Sequence, residues 1–176
     1  MSLKAKKVLS LLASVMCMLP LYVVLHEGGH ALIAVLCGAR ITEFSLLGAY
    51  MRYEGGIFTT ITLSLFHIAG MLLPVLVSIL FMLAYQNHIK SIFYRIFSFL
   101  SLLLPIGSIL AWVIVPLLAL FGRAPQEDDA AKFIDSSGLS PWVVFLGAII
   151  LFVCCLLIAW KKKIIQNYWT TIKLEA

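Results

Sequence analysis

The sequence predicts an all-α integral membrane protein, with about four transmembrane helices and a short membrane-associated β-hairpin after the first of them. Of its 176 residues, 62% are hydrophobic and only 12% are charged, whereas a soluble domain carries about 25% charged residues. The hydrophobic residues are gathered into long uninterrupted stretches. Because lipid offers the backbone no hydrogen-bond partners, such stretches favour helices over an open sheet.

Four apolar segments predict the transmembrane helices. They cover residues 8–38, 57–85, 89–121 and 142–160, and a helix needs about 20 apolar residues to cross the hydrocarbon. Pro20 in the first segment, and Pro105 and Pro116 in the third, predict kinks or broken helices. No small-residue cleavage site follows the basic start of the chain, so we expect an uncleaved first span. We interpret residues 1–176 as one transmembrane domain.

The distribution of basic residues predicts the orientation. An excess of Lys and Arg marks the cytoplasmic side of a membrane protein, and nine of the 13 basic residues lie on the side of both termini. We therefore expect both termini in the cytoplasm, and the cell (inner) membrane of a prokaryote as the location. Since the net charge of +5 arises at the ends of apolar spans, it does not indicate nucleic acid as a partner. The nine residues are Lys4, Lys6, Lys7, Lys90, Arg95, Lys161, Lys162, Lys163 and Lys173.

Two segments between the spans have patterns of their own. Residues 39–56, "ARITEFSLLGAYMRYEGG", alternate polar with apolar side chains and end in Gly-Gly, which predicts a short β-hairpin. Residues 122–141 are strongly polar, and Asp128 or Asp129 is expected to cap a short helix that starts at "AAKF".

The chemistry of the chain is concentrated in "HEGGH", residues 26–30. His26 and His30 are four residues apart, so on a helix they share one face and can bind one metal ion. Glu27 then lies beside the remaining position of the metal, where it can take a proton from a metal-activated water. Ionisable side chains are costly within a span and usually mark function. The alternative, a polar cluster that only joins helices, does not require this order of residues.

Further residues carry a resemblance. "HEGGHALIAVLCGARITEF" resembles the site-2 protease (M50) family of intramembrane zinc metalloproteases, and in particular its small M50B-like members. In that family the HExxH helix leads into a membrane-associated β-segment, and a later span has an "AGPxxN"-like stretch. "IAGMLLPVLVS", residues 68–78, is similar to that stretch, with Met71 and Pro74 as departures. The similarity covers about residues 21–111. It implies a Zn²⁺ cofactor and regulated intramembrane proteolysis.

The third zinc ligand departs from the family pattern. The resemblance implies an aspartate in a stretch similar to "LLPIGSILA", residues 103–111, but Leu110 stands in its place. A hydrolytic zinc site needs three protein ligands and a water. One candidate is Asp128 or Asp129, because small relatives of the family carry a similar acidic segment. The polar segment would then have to dip inward, and the alternative is a helix cap or a solvated loop.

His67 is the other candidate. It lies about ten residues into the second span, hence ~15 Å deep and level with the histidine pair. His67 could be the third metal ligand, or it could polarise the scissile carbonyl as a catalytic residue. It could also be an ordinary packed histidine with a hydrogen-bond partner.

These observations predict an intramembrane zinc endopeptidase with His26, His30 and an acidic third ligand, and with Glu27 as general base. Its partners would be the lipid bilayer and a membrane-protein or membrane-proximal peptide substrate, which residues 39–56 could hold in an extended conformation. No oligomeric state is predicted. Two alternatives remain open: a non-catalytic membrane-binding or regulatory relative that retains the metal site, and a metal transporter.

Overall fold

The computed structural model describes residues 1–173 and confirms the predicted class. Within them it is 74% helical. Helix α1 (Leu3–Leu36) is followed by the hairpin strands β1 (Ala39–Ser45) and β2 (Tyr50–Gly55), and then by helices α2 (Thr60–Ala84), α3 (Ile92–Leu120), α4 (Asp129–Ser137), α5 (Pro141–Lys161) and α6 (Ile164–Lys173). In this part of the chain, α1, α2, α3 and α5 are long and apolar enough to cross a membrane.

The long helices are continuous through their prolines. Pro20 lies inside α1, Pro74 inside α2, and Pro105 and Pro116 inside α3. The expected breaks are therefore absent from these helices. Neighbouring helices and side chains can satisfy the backbone groups that a proline frees. In α3, for example, Pro105 has no N–H for the Ser101 carbonyl, which accepts a hydrogen bond from the Ser78 hydroxyl of α2 at 2.9 Å instead.

The predicted hairpin is present and starts directly after α1. Strands β1 and β2 pair antiparallel from Ala39↔Gly55 to Ser45↔Tyr50, with a bulge between Ile41 and Glu43. Gly38 allows the sharp exit from the helix, since it adopts a left-handed conformation with φ +83°. The strands run back along α1, so the turn of the hairpin lies beside the middle of that helix.

The polar segment contains the short helix that its sequence predicts. Asp128 is the N-cap of α4, where its Oδ1 accepts a hydrogen bond from the Ala130 amide at 2.8 Å. Gly138 ends the helix in a left-handed conformation. Ala130 and Ala131 are buried, and Phe133 packs on Trp112 of α3 with ring centroids 5.3 Å apart. These contacts hold α4 against the bundle rather than in solvent.

Helix α6 was not predicted from the sequence. Its buried Ile164 and Thr171 face the bundle, and Tyr168 stacks on Phe99 of α3 with ring centroids 3.9 Å apart. The core of the protein lies between α2, α3 and α5, which all contribute fully or largely buried apolar side chains. They include Met71, Val75, Met82, Leu102, Ile109, Trp112, Val144, Ala148 and Cys155.

Candidate metal centre

Three potential metal ligands converge between α1 and α4. His26 and His30 lie one turn apart on α1, as their spacing predicts, and Asp129 begins α4. The Asp129 Oδ2 atom is 3.1 Å from His30 Nε2 and 3.5 Å from His26 Nε2. The ligand atoms of all three residues lie within 4.8 Å of one another, and in the described part of the chain this is the group that could hold a metal ion.

The hydrogen bonding of His30 determines which of its nitrogens can bind a metal. Its Nδ1–H donates to the Phe66 carbonyl of α2 at 2.7 Å. In the neutral ring Nε2 is then an acceptor, although it faces a carboxylate oxygen. A contact of 3.1 Å therefore needs either a proton on Nε2, which would donate to the carboxylate, or a metal ion bound by both atoms. A metal-binding histidine usually anchors its other ring nitrogen on a carbonyl or carboxylate in this way.

The distances also fit the preferred coordination of zinc. Ligand atoms at about 2.1 Å from a tetrahedral zinc ion are roughly 3.4 Å apart, and the two measured nitrogen-to-oxygen distances are 3.1 and 3.5 Å. Burial of the Asp129 carboxyl opposes its ionisation, but interactions with His26 and His30 outweigh this and hold its pKa well below its usual range. Asp129 is therefore a carboxylate at neutral pH, as a ligand must be.

Two glycines shape the space around these ligands. A Cβ atom on Gly29 would lie 2.6 Å from the carbonyl carbon of Ala69, so this glycine lets α1 approach the backbone of α2. A Cβ atom on Gly70 would lie 2.8 Å from His30 Cε1 and 2.9 Å from His26 Cε1. Gly70 thus keeps open the volume in which the ligand nitrogens meet. Gly28, in contrast, faces open space.

A cavity of about 220 Å³ opens on the ligand group from the hairpin side. Glu27, buried with 8% of its surface exposed, lines it. His67 lines the same cavity, and its Nδ1 has no hydrogen-bond partner among residues 1–173. Tyr50 and Met51 of β2 form another part of the wall. Glu27, the general base expected from the sequence, therefore borders the same space as His67 and the hairpin.

A second cavity, of about 290 Å³, reaches two of the three candidate ligands from the side of α3. Tyr22, Ser108 and Asp128 line it together with His26 and Asp129. The Tyr22 ring stacks on His26, one turn further along α1, with centroids 5.9 Å apart. The ligand group is therefore accessible from two cavities. The His26 ring is held by Tyr22, and the His30 ring by the Phe66 carbonyl.

The three candidates for the third ligand occupy different positions in the structure. Asp129 joins the histidines, whereas Asp128 caps α4 and does not belong to the ligand group. His67 lies on the cavity wall, outside that group. Leu110, at the position where the resemblance implies an aspartate, is 44% exposed on α3. The carboxylate that lies beside the histidines belongs to α4, so the polar segment reaches them.

The Peptidase M50B-like family model matches residues 7–122, which is more than half of the chain. The protein belongs to the Peptidase M50B-like family. No significant match was found among the curated proteins or the solved structures. The matched region of this M50B-like protein includes His26, Glu27, His30 and His67 but ends before Asp129. The third candidate ligand therefore lies beyond the part of the chain that carries the family pattern.

Two residues of the site, Gly70 and Lys132, were not identified from the sequence. Gly70 stands in the "AGM" stretch that resembles the family motif, and this resemblance could have indicated its place beside the histidines. Lys132 lines the cavity of Glu27 and His67, and it stands three residues after Asp129. Its position on the same helical face becomes informative only when Asp129 is known to face the histidines.

Proposed function

We propose that this M50B-like protein is an intramembrane zinc endopeptidase that cleaves peptide bonds in or near a transmembrane segment of another protein. The observation that carries the proposal is the convergence of Asp129 with His26 and His30 beside Glu27. The leucine at position 110, where the resemblance implies an aspartate, favours a non-catalytic relative. Asp129 weakens that argument, because it could supply the missing carboxylate. A protein that only binds a metal would not need a buried Glu27 at the cavity.

His26, His30 and Asp129 would hold the zinc ion. The zinc ion, when bound, supplies Lewis acidity that makes a water molecule a nucleophile at neutral pH. Glu27 takes the proton of the attacking water and gives it to the leaving amine. His67, on the same cavity wall, donates a hydrogen bond to the substrate carbonyl oxygen as negative charge develops there.

The hairpin would present the substrate in an extended form. A helix hides its carbonyl groups in its own hydrogen bonds, so a substrate helix has to unwind before cleavage. Tyr50 and Met51 of β2 border the cavity, and a peptide could pair with a free strand edge there. If proline substitutions along β1 and β2 left cleavage unchanged, this part of the proposal would be wrong.

The charge distribution supports an orientation with both termini in the cytoplasm. Nine Lys and Arg residues belong to segments on the side of the termini, and the other four belong to residues 39–56 and 122–141 on the opposite side. The ligand group would then lie in the outer half of the membrane, about six to ten residues, or ~9–15 Å, below the end of α1. The cell (inner) membrane of a prokaryote is the location that we propose.

The test is zinc content and cleavage measured on the same detergent-purified protein. We expect one zinc ion per chain in the parent, loss of zinc in Asp129→Ala, and retention of zinc in the neighbouring control Asp128→Ala. Glu27→Gln should retain zinc and lose cleavage by at least about 100-fold, the usual contribution of a general base. Zinc that is indifferent to Asp129 would refute the ligand set. Full cleavage by Glu27→Gln would refute the mechanism.

A further inference from the structure

Lys132 is a cation on the wall of the candidate active site, and neither the ligand set nor the proton transfers use it. It lies three residues after Asp129 on α4, hence on nearly the same face of the helix. The cavity that it lines also contains Glu27 and His67. Among the described residues that line this cavity, Lys132 is the one Lys or Arg side chain.

Lys132 forms an ion pair with the carboxylate of Glu127, which another carboxylate can displace easily. Lys132 Nζ lies 2.9 Å from Glu127 Oε2, with 37% of the Lys132 side chain and 94% of the Glu127 side chain exposed. Glu127 is thus almost fully solvated, and an exposed ion pair of this kind stabilises a protein little. Another carboxylate could replace it at small cost. Glu127 shows that the place in front of the Lys132 ammonium accepts a carboxylate.

When a peptide occupies the cavity, the Lys132 ammonium group has a greater need for a negatively charged partner. A peptide bound along β2 and over Glu27 would exclude water from the side of Lys132 that faces the cavity. A charge that loses water needs an opposite charge or a hydrogen-bond acceptor nearby. Glu127 approaches from outside the cavity, because it does not line it. An acidic group on the bound peptide would meet Lys132 from the inside.

We propose that Lys132 selects substrates that carry a carboxylate close to the scissile bond, and that Glu127 competes with this carboxylate for the same ammonium group. The inference rests on the proposed endopeptidase function and adds a substrate class to it. The carboxylate belongs either to a Glu or Asp side chain or to a free chain terminus. The two variants Lys132→Gln and Glu127→Gln should therefore act in opposite directions.

The test is equilibrium binding of fluorescent peptides to detergent-purified protein in the Glu27→Gln background, where nothing is cleaved. The peptides consist of leucine and alanine with a single Glu, Gln or Lys at successive positions, each with a free or an amidated C-terminus. At one position the Glu peptide should bind about fivefold more tightly than the Gln peptide, the upper range for an exposed ion pair. If Lys132 recognises the free chain terminus instead, the peptides with a free C-terminus should bind more tightly than the amidated ones by a similar factor.

The variants then assign the preference to one side chain. Lys132→Gln should abolish it, Lys132→Arg should retain it, and Lys132→Glu should favour the Lys peptide. Glu127→Gln should increase it, because the competing carboxylate is gone. Zinc content, measured on each sample, separates loss of selectivity from loss of the site.

The proposal is overturned if Glu, Gln and amidated peptides have equal affinity in the Glu27→Gln background, including the case in which none binds. It is also overturned if the preference survives in Lys132→Gln. Failure of the endopeptidase proposal looks different, because the parent protein would then bind zinc and discriminate between these peptides without cleaving any of them.

Discussion

The half of the bundle that contains the histidines and the half that contains both termini are built from different side chains. In the histidine half, α1 and α2 meet through Gly29, Ala69 and Gly70, and polar cavities open on either side of the histidines. In the terminal half, large apolar side chains such as Met82 and Ile96 are fully buried. The small residues bring two backbones together and leave room for ligands, whereas the large ones fill space. Function and packing are thus separated along the same helices.

Gly70→Ala should break this separation most strongly. The added methyl group would fall among the ring atoms of His26 and His30, which can turn away because they are side chains. We expect the protein to fold but to bind zinc about 100-fold more weakly, the upper end of the range for disturbed ligand positioning. Titration with a zinc chelator measures this. Gly107→Ala, where a Cβ meets nothing within 4 Å, should behave as the parent; equal zinc affinity in both variants would contradict the packing argument.

Gly29→Ala tests the approach of the two backbones. Its methyl group would overlap the Ala69 carbonyl, which cannot turn away without moving α2. We expect unfolding to become easier by about 1–3 kcal/mol, as for other overpacked interfaces. Thermal unfolding in detergent is the measurement. Gly28→Ala is the matched control one residue earlier, because its methyl group meets open space and alanine favours a helix.

Met82→Ala tests the packing of the terminal half of the bundle. Met82 has no exposed surface, so its removal leaves a cavity that costs about 2 kcal/mol of unfolding free energy, the lower end for a buried methionine. Zinc affinity should remain that of the parent, since the change is remote from the ligands. Leu80→Ala, at an exposed position of the same helix, is the control. Loss of zinc in Met82→Ala would show that the halves are coupled.

Ser78→Ala should have the smallest effect. The Ser78 hydroxyl donates to the Ser101 carbonyl of α3 at 2.9 Å, and an interhelical hydrogen bond in a membrane contributes about 0.6 kcal/mol. Ser14 provides the comparison, because its hydroxyl donates to Ser10 within its own helix. If Ser14→Ala destabilises the protein as much as Ser78→Ala, the bond between helices has no special role.

Local patterns predicted most of the fold. The spans follow from hydropathy, the hairpin from alternation and Gly-Gly, and the Asp128 cap from its place before "AAKF". Helix α6 was missed because its ten residues are too polar for a span and follow α5 after a short turn at Lys162 and Lys163.

The choice of the third ligand was beyond local patterns. Asp128 is the N-cap with extended backbone and Asp129 is the first helical residue, so their side chains differ in direction although the two residues are identical and adjacent. Which of them faces the histidines depends on how α4 docks against α2 and α3 through residues such as Ala130 and Phe133. That docking is a tertiary contact, and no pattern within the segment specifies it.

The position of Asp129 has a consequence for the synthesis of the protein. The two histidines and Glu27 enter the membrane with the first span, whereas Asp129 follows about a hundred residues later. With the proposed ligand set, a nascent chain would hold Glu27 and two ligands but lack the third until α4 has been translated and has docked. The order of the sequence would then delay completion of the metal site until three of the four apolar helices have been made.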